Sequence, residues 1–289
     1  MFTALIPHAI GIKGRDLAGN IALAADAGFD GVTFDITEAA ALADAHGIDH
    51  VRALFTARDI QLASWGVPVA WRDDEQRDAQ LKNLPKLAAL AVELGCPRAT
   101  SGIMPGSDER PYDEQFVWTV ERLQPLAETL RAAGAQLGLE FIGPKTFRAR
   151  WQHEFIYTLR GTFELAEAVG TGNVGVLLDA WHLYTSGGTI DEIDALQPGD
   201  VVLVHVNDAP AGIPVDEQVD NVRALPMETG VIDVPEMLRR LDAIGYEGPV
   251  APEPFSRRVE ERAATDPEGA ARETADSMRQ LWDAAGLAG

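Results

Sequence analysis

The chain has 289 residues and a hydrophobic fraction of 46%, a composition that allows one globular domain with a large core. Its 45 acidic residues outnumber the 24 basic ones and give a net charge of −21, so neither nucleic acid nor an anionic membrane is an expected partner. No apolar run reaches the roughly 20 residues of a membrane span and no leader-like segment opens the sequence, so we expect a cytoplasmic protein.

One pattern recurs along the chain: a segment rich in Ala and Leu ends in glycine, and a short apolar run follows. A glycine at this position closes a helix, and the short link into an apolar run is typical of a parallel sheet buried on both faces. The pattern predicts eight strands, at residues 3–10, 31–34, 61–67, 98–101, 135–141, 174–178, 201–207 and 249–253.

Eight strand–helix units in a chain of this length predict a single-domain (β/α)8 TIM barrel that spans residues 1–289. An open, doubly wound sheet is the alternative, and the absence of a GxGxxG motif after the first strand argues against it. Two long loops, 143–160 and 208–230, follow the fifth and seventh strands. In a barrel both loops lie on the catalytic face, and they carry Lys145 and Arg223.

Four consecutive strands end in an ionisable side chain: Glu140, Asp179, His205 and Glu253. Alone, each has an ordinary explanation as a structural ion pair or a buried histidine. Together they converge on one mouth of the predicted barrel, where three carboxylates would repel one another without a cation. The sequence therefore predicts one divalent ion bound by these four residues. The oxygen-rich set favours Mn²⁺, with Mg²⁺, Co²⁺ and Zn²⁺ as alternatives.

These motifs resemble those of the sugar phosphate isomerase/epimerase superfamily, the xylose-isomerase-like TIM barrels that include ketose 3-epimerases and inosose isomerases. The matching stretches are Leu-Glu at 139–140, Leu-Asp-Ala-Trp-His at 178–182, His-Val-Asn-Asp at 205–208 and Pro-Glu at 252–253. The resemblance implies the same four metal ligands, and it implies that His182 and Arg223 bind the substrate.

The chain departs from two branches of this superfamily. Relatives of endonuclease IV carry extra histidines on earlier strands, whereas the third and fourth strands here end in Ser-Trp-Gly and Thr-Ser-Gly. Ketose 3-epimerases usually follow the first glutamate with Pro-Leu, whereas Phe141 and Ile142 follow it here. One metal ion is therefore expected, and the identity of the substrate is left open.

The residues suggest a metal-dependent sugar isomerase or epimerase acting on a ketose or sugar-like ketone. The ion would polarise the carbonyl group and stabilise the enediolate that forms when the α-proton leaves. Glu140 and Glu253 lie on different strands, so each can address one face of the carbon and carry the proton. Further substrate contacts are predicted for His8 and Lys145. An apolar wall of Trp65, Trp181 and Phe255 is also predicted, although a core position is an alternative for these aromatics.

Two other functions fit the same residues. A lyase, such as a keto-inositol dehydratase or a 3-keto-glycoside deglycosidase, would begin with the same proton abstraction and then expel a leaving group. A non-catalytic sugar-binding barrel would bind its ligand without turnover. In each case the expected partner is a small carbohydrate, and pairing through helices and loops into a homodimer or homotetramer is expected.

Overall fold

Short parallel strands alternate with helices in the computed structural model, which describes residues 1–287. The strands are β1 Phe2–Leu5, β2 Gly31–Val32, β3 Gln61–Leu62, β4 Trp65–Gly66, β5 Arg98–Ile103, β6 Gly106–Ser107, β7 Gln136–Phe141, β8 His153–Glu154, β9 Val174–Asp179, β10 Val201–Val206 and β11 Pro249–Pro252. The α-helices are α1 Leu17–Ala27, α2 Ile36–His46, α3 Ile48–Thr56, α4 Arg77–Glu93, α5 Tyr112–Ala133, α6 Lys145–Arg148, α7 Leu159–Val169, α8 Ala180–Thr185, α9 Val234–Ala243, α10 Arg257–Ala263 and α11 Pro267–Ala285. Shorter 3₁₀ helices cover Pro7–Ile10, Ile190–Ala195, Pro198–Asp200 and Val215–Glu217.

The parallel strands run in the order β3-β2-β1-β11-β10-β9-β7-β5-β4. The first and last members, β3 and β4, are two pieces of the predicted third strand. β3 pairs with β2 and β4 pairs with β5, so this strand joins the two edges of the sheet. The sheet is therefore a closed ring of eight strands, and the predicted (β/α)8 barrel is confirmed.

The strands are apolar because helices cover their outer faces. All six residues of β10 are buried, and all but the first residue of β9 are buried. The helix α11 has one buried face, which includes Met278, Leu281 and Trp282. Burial on both faces explains why these runs do not alternate between apolar and polar residues.

The first strand is shorter than the predicted range of 3–10. β1 ends at Leu5, and a 3₁₀ helix begins at Pro7. Proline has no backbone N–H to donate to a neighbouring strand, so the chain leaves the sheet there. His8 consequently lies on a turn above the strand rather than within it.

Among the helices of the described residues, none is both long enough and apolar enough to cross a membrane.

The loop at 143–160 contains α6 and the short strand β8, which pairs antiparallel with β6. The pairing of β8 with β6 fastens this loop to the segment that follows β5.

Candidate metal centre

Four neighbouring strands carry the predicted ligands to one end of the barrel. Glu140 is in β7, Asp179 is the last residue of β9, His205 is in β10, and Glu253 directly follows β11. The register aligns His205 with Asp179 on one side and with Ala251 of β11 on the other. Because parallel strands in register end together, the four side chains come from the same rim.

The imidazole of His205 is surrounded by carboxylate oxygens. Its Nδ1 atom lies 3.5 Å from Glu140 Oε1, 3.7 Å from Asp179 Oδ2 and 3.4 Å from Glu253 Oε1. One ligand atom from each of the four residues lies within 4.8 Å of the others. Within residues 1–287, neither Glu140 Oε1 nor His205 Nδ1 has a hydrogen-bond partner, although both atoms are buried.

This arrangement fits a divalent cation. Ligand atoms about 2.0–2.2 Å from a common ion lie about 3–4 Å apart, and His205 Nδ1 lies at such a distance from all three carboxylates. A bound ion would also pair the two buried atoms that lack a hydrogen bond and neutralise part of the carboxylate charge. Three carboxylates and one imidazole form a hard, oxygen-rich ligand set.

The charges of the cluster shift its pKa values in opposite directions. Burial raises the pKa of Glu140, and the neighbouring Glu253 carboxylate raises it further. Burial acts to lower the pKa of His205, but the carboxylates of Glu253 and Glu140 outweigh burial and raise it to about 10. Burial acts to raise the pKa of Glu253, but His205 and Arg223 outweigh it and hold this pKa below its usual range.

Arg223 is a buried counter-charge beside the cluster. Its Nη1 donates to Asp179 Oδ2 at 3.0 Å and to Glu253 Oε2 at 2.9 Å, and its side chain is only 2% exposed. Its Nη2 donates to Asp220 Oδ1 at 3.1 Å. The predicted loop residue therefore binds two of the predicted ligands directly.

His182, in the first turn of α8, lies beside the cluster and Arg223. The Gly143 N–H donates to its Nδ1 at 3.2 Å. Nε2 lies 3.1 Å from Arg223 Nη2 and 4.0 Å from Glu140 Oε1. A side chain at Gly143 would collide with the His182 carbonyl, since its Cβ would lie 2.2 Å from that oxygen. Glycine is therefore required for this contact.

Two residues that follow His205 support the cluster, although no role was predicted for them. Asn207 Nδ2 lies 3.3 Å from both oxygens of Asp179 and donates to them. The buried carboxylate of Asp208 accepts five backbone N–H groups, from Ala209 and from each residue of the stretch 229–232. The sequence signal that could have identified Asn207 and Asp208 is their position directly after a histidine at a strand end.

Replacing Asp208 with asparagine is expected to lower the free energy of unfolding by about 2–3 kcal/mol. Its Oδ2 accepts hydrogen bonds from the N–H groups of Thr229 and Gly230. In asparagine an NH₂ group replaces this oxygen, so these two N–H donors would lose their acceptor and face another donor. Urea unfolding measures the loss. Asp216→Asn, at an exposed site paired with Lys145, is the matched control and should leave stability unchanged. Equal stability of the two variants would contradict this role of Asp208.

The cluster lies at the base of an open cleft with a volume of about 760 Å³. Three of the four predicted ligands, Glu140, His205 and Glu253, line this cleft. His8 also lines it, so the structure places this residue where the sequence predicted it. Burial lowers the pKa of His8, while the nearby Glu253 carboxylate acts to raise it. The remaining lining includes Phe34 and Lys13, which were not predicted as site residues.

The predicted wall of Trp65, Trp181 and Phe255 does not line the cleft. Trp65 is 1% exposed, and its indole N–H donates to the Cys96 carbonyl at 3.2 Å. Side chains alternate along a strand, so Ser64 and Gly66 face the cleft while Trp65 packs outward against the helices. Trp181 is fully buried and stacks with Arg223, whose guanidinium carbon lies 5.4 Å from its ring centroid.

Lys145 also lies away from the cleft. It is exposed on α6, and its Nζ pairs with Asp216 Oδ2 at 2.6 Å. The ion pair links the two long loops, so the prediction that Lys145 faces the substrate is not supported by its position. His182 and Arg223 lie beside the ligands but are buried, and their role as substrate-binding residues stays a prediction.

Residues 21–281 match the family of xylose isomerase-like TIM barrels. The chain belongs to this family. A xylose isomerase domain protein from Alicyclobacillus acidocaldarius has 30% sequence identity and a TM-score of 0.86, and the match covers 99% of each chain. An IOLI protein whose structure contains a zinc atom shares the fold of this xylose isomerase-like barrel, with a TM-score of 0.76, 18% identity and 98% coverage of each chain.

Curated relatives of this xylose isomerase-like barrel are isomerases and epimerases. An inosose isomerase from Halalkalibacterium halodurans is 28% identical over 155 residues, which are 54% of this chain and 52% of that protein. An L-ribulose 3-epimerase from Mesorhizobium japonicum is 25% identical over 203 residues, or 69% of this chain and 59% of that protein. The chain thus matches little more than half the length of these relatives.

Proposed function

We propose that the protein is a metal-dependent isomerase or epimerase of a ketose or sugar-like ketone. The observation that carries the proposal is the cluster of Glu140, Asp179, His205 and Glu253 around one point at the base of the cleft. The isomerase and epimerase activities of the curated relatives support the same reaction class.

The cluster offers the chemistry of one divalent cation. The zinc atom in the related IOLI structure supports a divalent ion in this barrel type, and the three carboxylates favour Mn²⁺ among the candidates. A bound ion would supply Lewis-acid polarisation of the substrate carbonyl, which acidifies the neighbouring carbon.

The protein's own groups divide the remaining work. Glu253 Oε2 accepts from Arg223, so one oxygen of this carboxylate is already engaged. Glu140 accepts no hydrogen bond from Arg223, and its side chain is 17% exposed at the cleft, compared with 11% for Glu253. Glu140 is therefore the better-placed group to remove the α-proton, and Glu253 is positioned to act from a different strand. Return of the proton from the second face gives epimerisation, and return to the adjacent carbon gives isomerisation.

Incubation of the Mn²⁺-loaded protein with a panel of ketoses in D₂O tests this proposal. Deuterium is expected at the carbon next to the carbonyl group of the true substrate, as detected by NMR, because the abstracted proton exchanges with solvent. Chelator-treated protein is the control and should give no incorporation. A panel without any exchange above this control would refute the proposal, and an enone product with ultraviolet absorbance would indicate a lyase instead.

A further inference from the structure

A second cavity adjoins the cleft that contains the metal cluster. It has a volume of about 780 Å³ and shares Gly66, Val67 and Thr100 with the first cleft, which has about 760 Å³. Pockets of about 300–1,000 Å³ accommodate drug-sized ligands, so the first cleft alone has room for a single sugar ring. The combined space is larger than a monosaccharide substrate requires.

Glycine keeps the boundary between the two cavities open. A Cβ atom built at Gly66 or Gly102 would meet no atom within 4 Å, so side chains at these positions would enter empty space. Neither glycine is among those with positive φ, so neither backbone conformation demands glycine. Gly102 lies beside Glu140 in the register of β5 and β7, so the second cavity begins one strand away from a predicted ligand.

The walls of the second cavity are polar and preorganised. Trp71 is buried and donates its indole N–H to Ser101 Oγ at 2.9 Å. The Arg72 guanidinium lies over this indole, 4.5 Å from its centroid, and donates to the Gly102 carbonyl at 2.9 Å. Within residues 1–287, this is the one hydrogen bond of Arg72, and the carboxylate of Glu75 at the rim has none. Unused donors and acceptors beside an aromatic ring suit a hydroxyl-rich ligand.

We infer that the second cavity binds a second sugar ring, joined to the ring that reacts at the metal cluster. The substrate is then a ketose-containing disaccharide rather than a free monosaccharide. This inference rests on the proposed function for the position of the reacting ring. The acidic residues at 73–75 disfavour a phosphate or carboxylate on the second ring, since like charges repel.

Calorimetric titration of the Mn²⁺-loaded protein with matched sugars tests the inference. The probes are D-fructose and its glucosides turanose, maltulose and palatinose, in which glucose is attached at different positions of the same ketose. At least one disaccharide should bind about tenfold more tightly than fructose, because the second ring adds about one or two net hydrogen bonds. Gly102→Leu fills the second cavity and Arg72→Gln removes its guanidinium, so each should reduce this tenfold preference.

Gly199→Leu is the matched control for Gly102→Leu. Gly199 lies before β10, at the opposite end of the barrel, and a Cβ there would also meet no atom within 4 Å. This variant should retain the full preference for the disaccharide. Equal affinity for fructose and for all three disaccharides, or a preference that persists in both Gly102→Leu and Arg72→Gln, would overturn the inference.

The deuterium assay on the same sugars separates this inference from the proposed function. A disaccharide preference without exchange at any carbon would support the second-ring site and refute the isomerase. Exchange with fructose, together with equal affinities for fructose and the disaccharides, would support the isomerase and refute the second-ring site.

Discussion

Replacing Glu140 with glutamine is expected to reduce the turnover number for α-proton exchange by about 10³-fold, within the range of about 10²–10⁴ that a positioned general base contributes. Glutamine keeps the size of the side chain but cannot accept a proton at neutral pH. The measurement is deuterium incorporation per second at saturating ketose.

Glu140 is also a predicted metal ligand, so metal loss must be separated from loss of the base. The Mn²⁺ affinity of Glu140→Gln should be titrated first, and the exchange assay should then use saturating Mn²⁺. Glu121→Gln is the matched control, since Glu121 is exposed on α5, outside the cleft. A Glu140→Gln protein that is saturated with metal and exchanges protons at the wild-type rate would show that another group is the base.

Removal of the Arg223 side chain should destabilise the metal-free protein by about 3–5 kcal/mol, the cost of leaving a buried charge without its partner. Arg223→Ala would leave Asp179 and Glu253 facing each other without the guanidinium that lies 3.0 and 2.9 Å from their oxygens. Burial acts to lower the pKa of Arg223, but these carboxylates outweigh it and hold the pKa above its usual value, so the group stays charged. Urea unfolding in the presence of a chelator measures the effect.

The matched control is Arg160→Ala, which removes an exposed arginine that pairs with Glu164 on α7. Surface pairs of this kind contribute little, so its midpoint should not move. Saturating Mn²⁺ should recover part of the stability lost in Arg223→Ala, because a cation again lies between the carboxylates. A loss no larger than that of Arg160→Ala would show that Arg223 is not needed to balance the cluster.

The strand ends were predictable because barrel geometry leaves little freedom there. Once the apolar runs before Asp179 and His205 are recognised as parallel strands, their carboxyl ends must meet at one rim. The sequence therefore placed four side chains from distant parts of the chain within 4.8 Å of one another. Local pattern was sufficient because each residue lies at, or next to, the end of its own strand.

Residues away from the strand ends were harder to place. Successive residues of a strand point to opposite faces of the sheet, so a shift of one position decides whether Trp65 faces the helices or the cleft. Here Trp65 packs toward the helices, and its neighbours Ser64 and Gly66 line the cleft. Lys145 lies in a loop, and its ion-pair partner Asp216 is 71 positions away in the sequence. The contacts of Arg223 with Asp179 and Glu253 likewise join separate elements, and no local pattern specifies such contacts.

The closed ring carries the ionisable cluster and the second cavity on different strands. β7, β9, β10 and β11 carry the ionisable cluster, whereas β4, β5 and the segments after them border the second cavity. Distant substitutions usually combine additively. Changes near Trp71 should therefore alter substrate choice independently of changes near His205. Such a barrel can change its ligand preference through one arc of its wall while the neighbouring arc keeps the same ionisable cluster.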